Sequence, residues 1–516
     1  VKKFDQRYDV AVLGGGIAGM ATAARLQARG YSTLVIEAHG QVGGCAGFFR
    51  KRGFSFDVGA TTLVDFEPGG VGGELMDELG LELDAELLPG YSAWLPDSRV
   101  ELYREHARWA KERTHQLGDS HNHRRFWQLM DTLARVFWQA SRDGIRLPIR
   151  TPGQLFDAVR LLPFSAWPLA RYLRSSLGDV LRDFGLRDDK RLVGLLSMLV
   201  EDTVHGSVDG APVINAALGV TIRGAGLSRA RGGMRGFWEA FVDRYRALGG
   251  AIRIGTRALA VEGKLGAFRV STSRGTVEAG QVVSALPIDL TAGLAVPEVS
   301  EALAPFIRRD RDARGSALVV FLGVPENEVA GESFTHHQLL QSFDAPLGNG
   351  NNMFVSVSSP GDLLSAPDGH RAVMISTHCE TSAWKELDEV GYGRAKDLAQ
   401  TQLIQLARRV YPHLGERAVV AEMGTPCTYQ RYTGRIDGAV GGVRQTTHNS
   451  NQHAVPHDLG VPGFWLTGDD SWPGLGTVAS CLSSRIVAAL AERAAVPTKL
   501  TSQTVSDRRE LGHAVQ

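Results

Sequence analysis

The residues with the plainest chemistry stand at the start of the chain, in "YDVAVLGGGIAGMATAARLQARGYSTLVIEA". Gly14, Gly16 and Gly19 make a Gly-x-Gly-x-x-Gly run between an apolar strand over residues 8–13 and a helix that reaches about Arg29. Gly14 permits a tight turn, Gly16 lets a pyrophosphate approach the backbone, and Gly19 lets helix and strand pack closely. Ile17 and Ala18 open the helix, whose first N–H groups and positive dipole end suit phosphate. A second strand, residues 32–36, ends at Glu37 and Ala38, and Glu37 is placed to accept both hydroxyls of a ribose. Strand, turn, helix, strand and acid together define a dinucleotide site.

The residues just past this unit choose between dinucleotides. Gly43 and Gly44 come shortly after Glu37, then a strand-like stretch near Phe54 and a turn at Gly59, Ala60 and Thr61. A simple NAD dehydrogenase needs no second glycine pair there, whereas the longer FAD must have its flavin end held far from the first turn. A matching piece lies over 400 residues later, in "GFWLTGDDSWPGLGTVASCLSSRIVAAL". Gly468 and Asp469 would meet the ribityl and pyrophosphate region. A helix starting near Gly476, with Thr477 and Val478, would aim its N-terminus at the flavin pyrimidine oxygen, which gains negative charge on reduction. No second Gly-x-Gly-x-x-Gly with a following acid occurs, so electrons are expected to enter or leave by a route other than a docked nicotinamide.

The elements that must hold these turns belong to a chain of 516 residues, longer than one core usually fills, so two domains are expected. With 56 basic and 56 acidic residues the net charge is zero, which gives nucleic acid no electrostatic hold. Cys45, Cys379, Cys427 and Cys481 are scattered, which suits a reducing compartment and argues against a disulfide scaffold. No apolar signal core follows "VKKFDQR", and no apolar run approaches the ~20 residues of a spanning helix. A cytoplasmic protein with at most peripheral membrane contact is expected.

Five stretches carry a resemblance over residues 8–492: "GGGIAGMATAARLQARG", "GGCAGFFRKRGFSFDVGAT", "EDTVHGSVDGAPVINAALGVTIRGAGLSRARGGMRGFW", "TPCTYQRYTGRIDGAVGG" and "LTGDDSWPGLGTVASCLSSRIVAAL". They resemble the phytoene-desaturase-like flavoproteins, a group of carotenoid desaturases, carotenoid isomerases and retinol saturases. "DVGATTLVDFEPGG", "HHQLL" and "NMFVSVSSPGD" look most like the carotenoid 3,4-desaturase branch. The resemblance implies an α/β fold: a Rossmann-type FAD domain of the glutathione reductase and amine oxidase kind, with a discontinuous α+β substrate domain. Residues 1–90, 228–290 and 455–495 are assigned to the FAD domain, 91–227 and 291–454 to the substrate domain, and 496–516 to a disordered tail. The fold class also implies that backbone near Leu259 and Ala260 meets the adenine. Many members of the group have Arg where Cys45 stands here.

The resemblance implies an enzyme with non-covalent FAD that desaturates a long polyene, or else isomerises or saturates one, with a non-catalytic carotenoid-binding flavoprotein and an amine oxidase as further readings; quinone or oxygen is the expected electron acceptor. C–H bonds beside a conjugated chain are not acidic, so hydride loss to the flavin should come first and proton loss second. Glu201 and Asp202 are the acids to inspect as proton acceptors; a helix-surface or capping role is the alternative. His336 and His337 border either a polyene tunnel or the polar side of a sheet. The cluster His106, His115, His121 and His123 lies among Arg and Lys that would repel a metal ion, so a solvated face is expected. "QLFDAVRLLPFSAWPLARYLRSS" mixes Leu, Phe and Trp with Arg160, Arg171 and Arg174, with Pro163 and Pro168 breaking any single helix. It suits either an interdomain core or a membrane-surface patch, and the resemblance favours the membrane.

Overall fold

A computed structural model describes residues 7–161 and 164–495. The tail 496–516 and the break expected at Pro163 lie outside the described residues.

The first strand, Arg7–Leu13, is flanked by Thr33–Ile36 on one side and Gly275–Ser284 on the other, both parallel to it. Ala251–Arg253 extends the sheet beyond Thr33–Ile36, and Phe464–Leu466 pairs in parallel with Gly275–Ser284. The hairpin strands Ala258–Lys264 and Ala267–Thr272 complete seven strands. Strands Thr33–Ile36 and Phe464–Leu466 are buried throughout, as parallel strands covered on both faces must be. Helices Ile17–Ala28 and Thr477–Ala494 share one apolar core, in which Met20 and Ala24 belong with Cys481 and Val487. Each helix follows a glycine turn at the C-terminal end of a sheet strand, which places both glycine turns on one edge of the sheet. That edge is where open α/β sheets bind ligands.

A second seven-stranded sheet runs in the order Val420–Gly424, Ser316–Pro325, His370–Cys379, Asn352–Val357, His336–Leu340, Gly90–Trp94 and Arg99–Tyr103. Its neighbours are antiparallel except His336–Leu340 with Gly90–Trp94. One face packs against the helix Glu389–Ala407, with Leu403 and Ala407 in the same core as Val320, Leu322 and Ile375. Helices His121–Arg142, Lys190–Val204 and Val213–Val220 share another core with Leu340 of this sheet. The architecture is the mixed α/β one expected.

Candidate active site

The first glycine turn is closed on its inner side and open on its outer side. Gly14 has φ +101°, and a Cβ at Gly19 would collide with Gly14 O. A Cβ at Gly16 would meet nothing within 4 Å, which leaves the room a phosphate needs. Glu37 is fixed by two backbone donors: Gly15 N–H to Oε2 at 2.6 Å and His39 N–H to Oε1 at 2.7 Å. Each carboxylate oxygen keeps acceptor capacity for a ribose hydroxyl. Gly43 N–H donates to Gly15 O at 2.8 Å, so the glycine pair is tied to the first turn. A Cβ on Gly43 (φ +135°) would stand 2.5 Å from Gly47 Cα.

The second turn mirrors this. The helix Thr477–Ala494 starts behind Gly476 (φ +109°) with no side chain capping its N-terminus. Its first N–H groups are thus left for a ligand. Both turns border a cavity of about 1350 Å³, larger than the ~300–1,000 Å³ usual for a small ligand. Gly14, Gly16, Ile17, Ala18, Gly19, Glu37, Ala38, Gly43, Gly44, Gly59, Ala60, Gly468, Asp469, Gly476 and Thr477 all line it. An open phosphate cradle at one turn and an uncapped helix at the other, along one cavity, fit an extended FAD.

Four of the expected positions are not among the residues lining the cavity. Arg257 and Ala258 line it just before Leu259 and Ala260; the hairpin register shifts between Ala258 and Ala260, and the Leu259 side chain is exposed. Thr61 is buried behind the turn, its carbonyl accepting from Arg229 Nη1 at 3.0 Å. Val478, one residue around the helix from Thr477, packs into the apolar cores.

Arg435 was not singled out from the sequence, although it sits in "TYQRYTGRIDG". Its Nη2 donates to both oxygens of Asp469, at 2.9 and 2.7 Å. Burial alone would lower its pKa, but the Asp469 charge raises it, so the guanidinium stays charged. Cys45 lines the cavity within electrostatic reach of Arg435. Burial and the neighbouring Asp469 charge push the Asp470 carboxyl up to about 6.

The far wall is the second sheet. Register aligns Gln338, Phe354, Ser376, Val319 and Gly424 in one row across it, and all five line the cavity. His336 and His337 do not. His337 points to the opposite face, where Nε2 meets Tyr411 OH at 2.9 Å. His336 shares the face of Gln338 but is covered by Tyr91, stacked at 5.0 Å. Burial holds His336 well below the usual histidine value, and burial with Arg99 brings His337 to about 3, so neither carries charge at neutral pH. They belong to the sheet's interior, the second of the two sequence readings.

Glu201 and Asp202 lie in the last turn of Lys190–Val204, and only Asp202 reaches the cavity. Gln338 Nε2 donates to Asp202 Oδ2 at 3.1 Å. Asp202 keeps an exposed surface and lines the cavity; desolvation by the surrounding protein raises its pKa, with His378 and Arg223 opposing the rise. Glu201 stands behind, its Oε1 3.4 Å from His378 Nδ1. His205, the left-handed residue ending that helix (φ 55°), packs its ring 4.7 Å from that of His378. His205 and His378 both line the cavity and were missed, since they lie 173 residues apart (378 − 205) and share no local motif.

Fold and site together define an FAD-binding oxidoreductase of the amine oxidase fold. The chain belongs to the family of flavin containing amine oxidoreductases, whose model matches residues 17–490. The resemblance to phytoene-desaturase-like flavoproteins holds with it. Prolycopene isomerase 1 of an Oncidium hybrid is 26% identical, over 93% of this chain and 82% of its own. All-trans-retinol 13,14-reductase of Danio rerio is 23% identical, over 90% of this chain and 82% of its own. Among solved structures, a putrescine oxidase variant superposes with a TM-score of 0.62 at 16% identity, over 94% of this chain and 99% of its own.

Proposed function

We propose that this enzyme desaturates a long polyene of the carotenoid class, as the 3,4-desaturase branch does. The observation that carries the reading is one cavity continuing from the dinucleotide turns to a wall of the second sheet. Bound FAD would supply the two-electron acceptor. Ala317, Val319, Phe321 and Phe354 offer the chain an apolar wall, which excludes water and holds a C–H bond in line. Quinone or oxygen would reoxidise the cofactor.

A second reading, cis–trans isomerisation, is favoured by the prolycopene isomerases that match nearly the whole chain. Saturation of a retinoid is a variant of the same chemistry, supported by the retinol reductases.

Membrane delivery is part of the proposal. No helix among the described residues is long and apolar enough to cross a membrane. Between Pro152–Leu161 and the turn of helix Phe164–Arg174, however, Phe156, Phe164 and Trp167 are 63%, 88% and 56% exposed. Arg160 and Arg171 lie among them, the arrangement of an interfacial patch on the cytoplasmic side of a membrane.

The deciding experiment mixes oxidised enzyme anaerobically with an acyclic carotenoid in liposomes. Desaturation bleaches the flavin band while the carotenoid band moves to longer wavelength, and added quinone restores turnover. Conversion that needs flavin reduced beforehand and lengthens no chromophore would replace desaturation by isomerisation.

A further inference from the structure

We propose that His378, seated on Glu201, is the group that exchanges a proton with the polyene at the cavity wall formed by the second sheet. The inference rests on the polyene reading. His378 is the penultimate residue of the strand His370–Cys379, and its ring lines the cavity. Nδ1 faces Glu201 at 3.4 Å, which leaves Nε2 without a hydrogen-bond partner among the described residues. A carboxylate behind an imidazole fixes its orientation and stabilises the imidazolium formed when the ring takes a proton.

A second observation marks this wall as a place of polar chemistry. Gln338 is 3% exposed and lines the cavity, yet its Oε1 has no partner among the described residues. Its amide instead holds Asp202. A cavity wall serving only to hold a hydrocarbon has no need of a carboxyl, two imidazoles and an amide.

The surrounding charges favour proton uptake at this one ring. Burial alone would lower the pKa of His378; Glu201 and Asp202 overcome it and raise the value above 6.5, against opposition from Arg444. His205, packed on the same ring, is held well below the usual value by burial and by the His378 charge, with Arg444 and Arg435 acting in the same direction. It stays neutral and adds no second cation. Arg223 faces Asp202 rather than His378.

In desaturation, bound FAD would supply the acceptor for a hydride, with its electron pair, from one carbon. The C–H bond of the adjacent carbon then breaks, its electron pair becomes the new C=C bond, and the proton goes to His378 Nε2. In isomerisation the same nitrogen would lend one proton and take one back, with no net change in electrons.

The test uses the full-length, FAD-loaded protein with an acyclic carotenoid in liposomes, as wild type, His378→Gln and Glu201→Gln. Wild-type flavin bleaching in a single turnover should rise with pH through an imidazole ionisation above 6.5. His378→Gln should lose that dependence and about 10²–10⁴-fold in rate, with flavin content and carotenoid uptake unchanged. Glu201→Gln should move the ionisation to lower pH. Imidazole titration by NMR gives a readout independent of turnover: the high-titrating ring should vanish in His378→Gln and shift down in Glu201→Gln. Rates within about threefold of wild type with the same pH profile, or no such ring in the wild type, overturn the proposal. If the wild type only isomerises, desaturation falls and deuterated water decides the proton. Deuterium in the wild-type product but not in that of His378→Gln upholds the exchange, and unlabelled wild-type product overturns it.

Discussion

Arg435 and Asp469 form a two-oxygen ion pair, with Nη2 donating at 2.9 and 2.7 Å, while Nη1 donates to Gly441 O at 2.6 Å. The arginine comes from the segment after the helix Pro426–Thr433, and the aspartate from the second glycine turn. Cys45 follows the first glycine pair, and Arg435 brings a guanidinium to the same neighbourhood from another part of the chain.

Arg435→Leu leaves Asp469 unpaired beside Asp470, both largely enclosed. Removing one partner of a buried pair costs about 3–5 kcal/mol, and the residual exposure of this pair puts it at the lower end. The expected outcome is a lower melting temperature together with reduced flavin content, and Arg435→Lys should recover part of both. A variant that melts with the wild type and keeps its flavin would show that the pair carries no weight.

Glu37→Ala removes the acceptor for Gly15 N–H and His39 N–H as well as for the ribose. Hydrogen bonds to a charged group contribute about 1.5–3 kcal/mol, so FAD affinity should fall more than tenfold and the protein should purify largely colourless. In the wild type the flavin is expected to stay in solution when the protein is precipitated with acid, although Cys427 borders the cavity. Colour in the wild-type pellet would mean a covalent link.

The legible part of this site is the part written in local patterns. Gly14 to Glu37 is one contiguous βαβ unit, with Gly14 at positive φ, Gly19 packed on Gly14 O and Gly16 left open. At Leu259 and Ala260 a bulge shifts the hairpin so that Arg257 and Ala258 line the cavity, and no residue type announces it. The substrate wall was hardly legible. Gln338 and Ser376 become neighbours of the cavity only through strand register, and His205 meets His378 only when a helix end packs on a sheet. "HHQLL" carried the signal of a strand, but period-two alternation sends His337 to the other face, and Tyr91, on the paired strand Gly90–Trp94 far away in sequence, covers His336.

The exposed patch gives a prediction about location rather than turnover. Phe164 and Trp167 stack with ring centroids 6.0 Å apart, on a surface with Arg160 and Arg171 alongside. Phe164→Glu with Trp167→Glu should reduce sedimentation with anionic liposomes at least tenfold, since each aromatic removed from the interface forfeits about 1.5–3 kcal/mol of apolar burial. Flavin content should be unchanged, because neither residue lines the cavity. Equal sedimentation of variant and wild type would place membrane contact elsewhere.

Asp470 supplies a pH dependence whose sign is set by its surroundings. Burial and the Asp469 charge push its carboxyl from 3.8 up to about 6, with Arg435, Arg314 and the Ile288 N–H holding it from going higher. Between those two values the folded protein binds more protons at this residue than the unfolded chain does. Stability contributed here is therefore present below about pH 4, declines as pH rises through the window, and is gone above pH 6. Asp470→Asn keeps an acceptor for the Ile288 N–H, which bonds the carboxyl at 3.0 Å, and removes the buried charge. The variant should match the wild type near pH 4 and exceed it by on the order of 2 kcal/mol above pH 6, read from thermal or urea unfolding across that range. A wild-type advantage that grows with pH would mean that the Asp470 charge is stabilised by Arg435 more than it is opposed by Asp469 and burial.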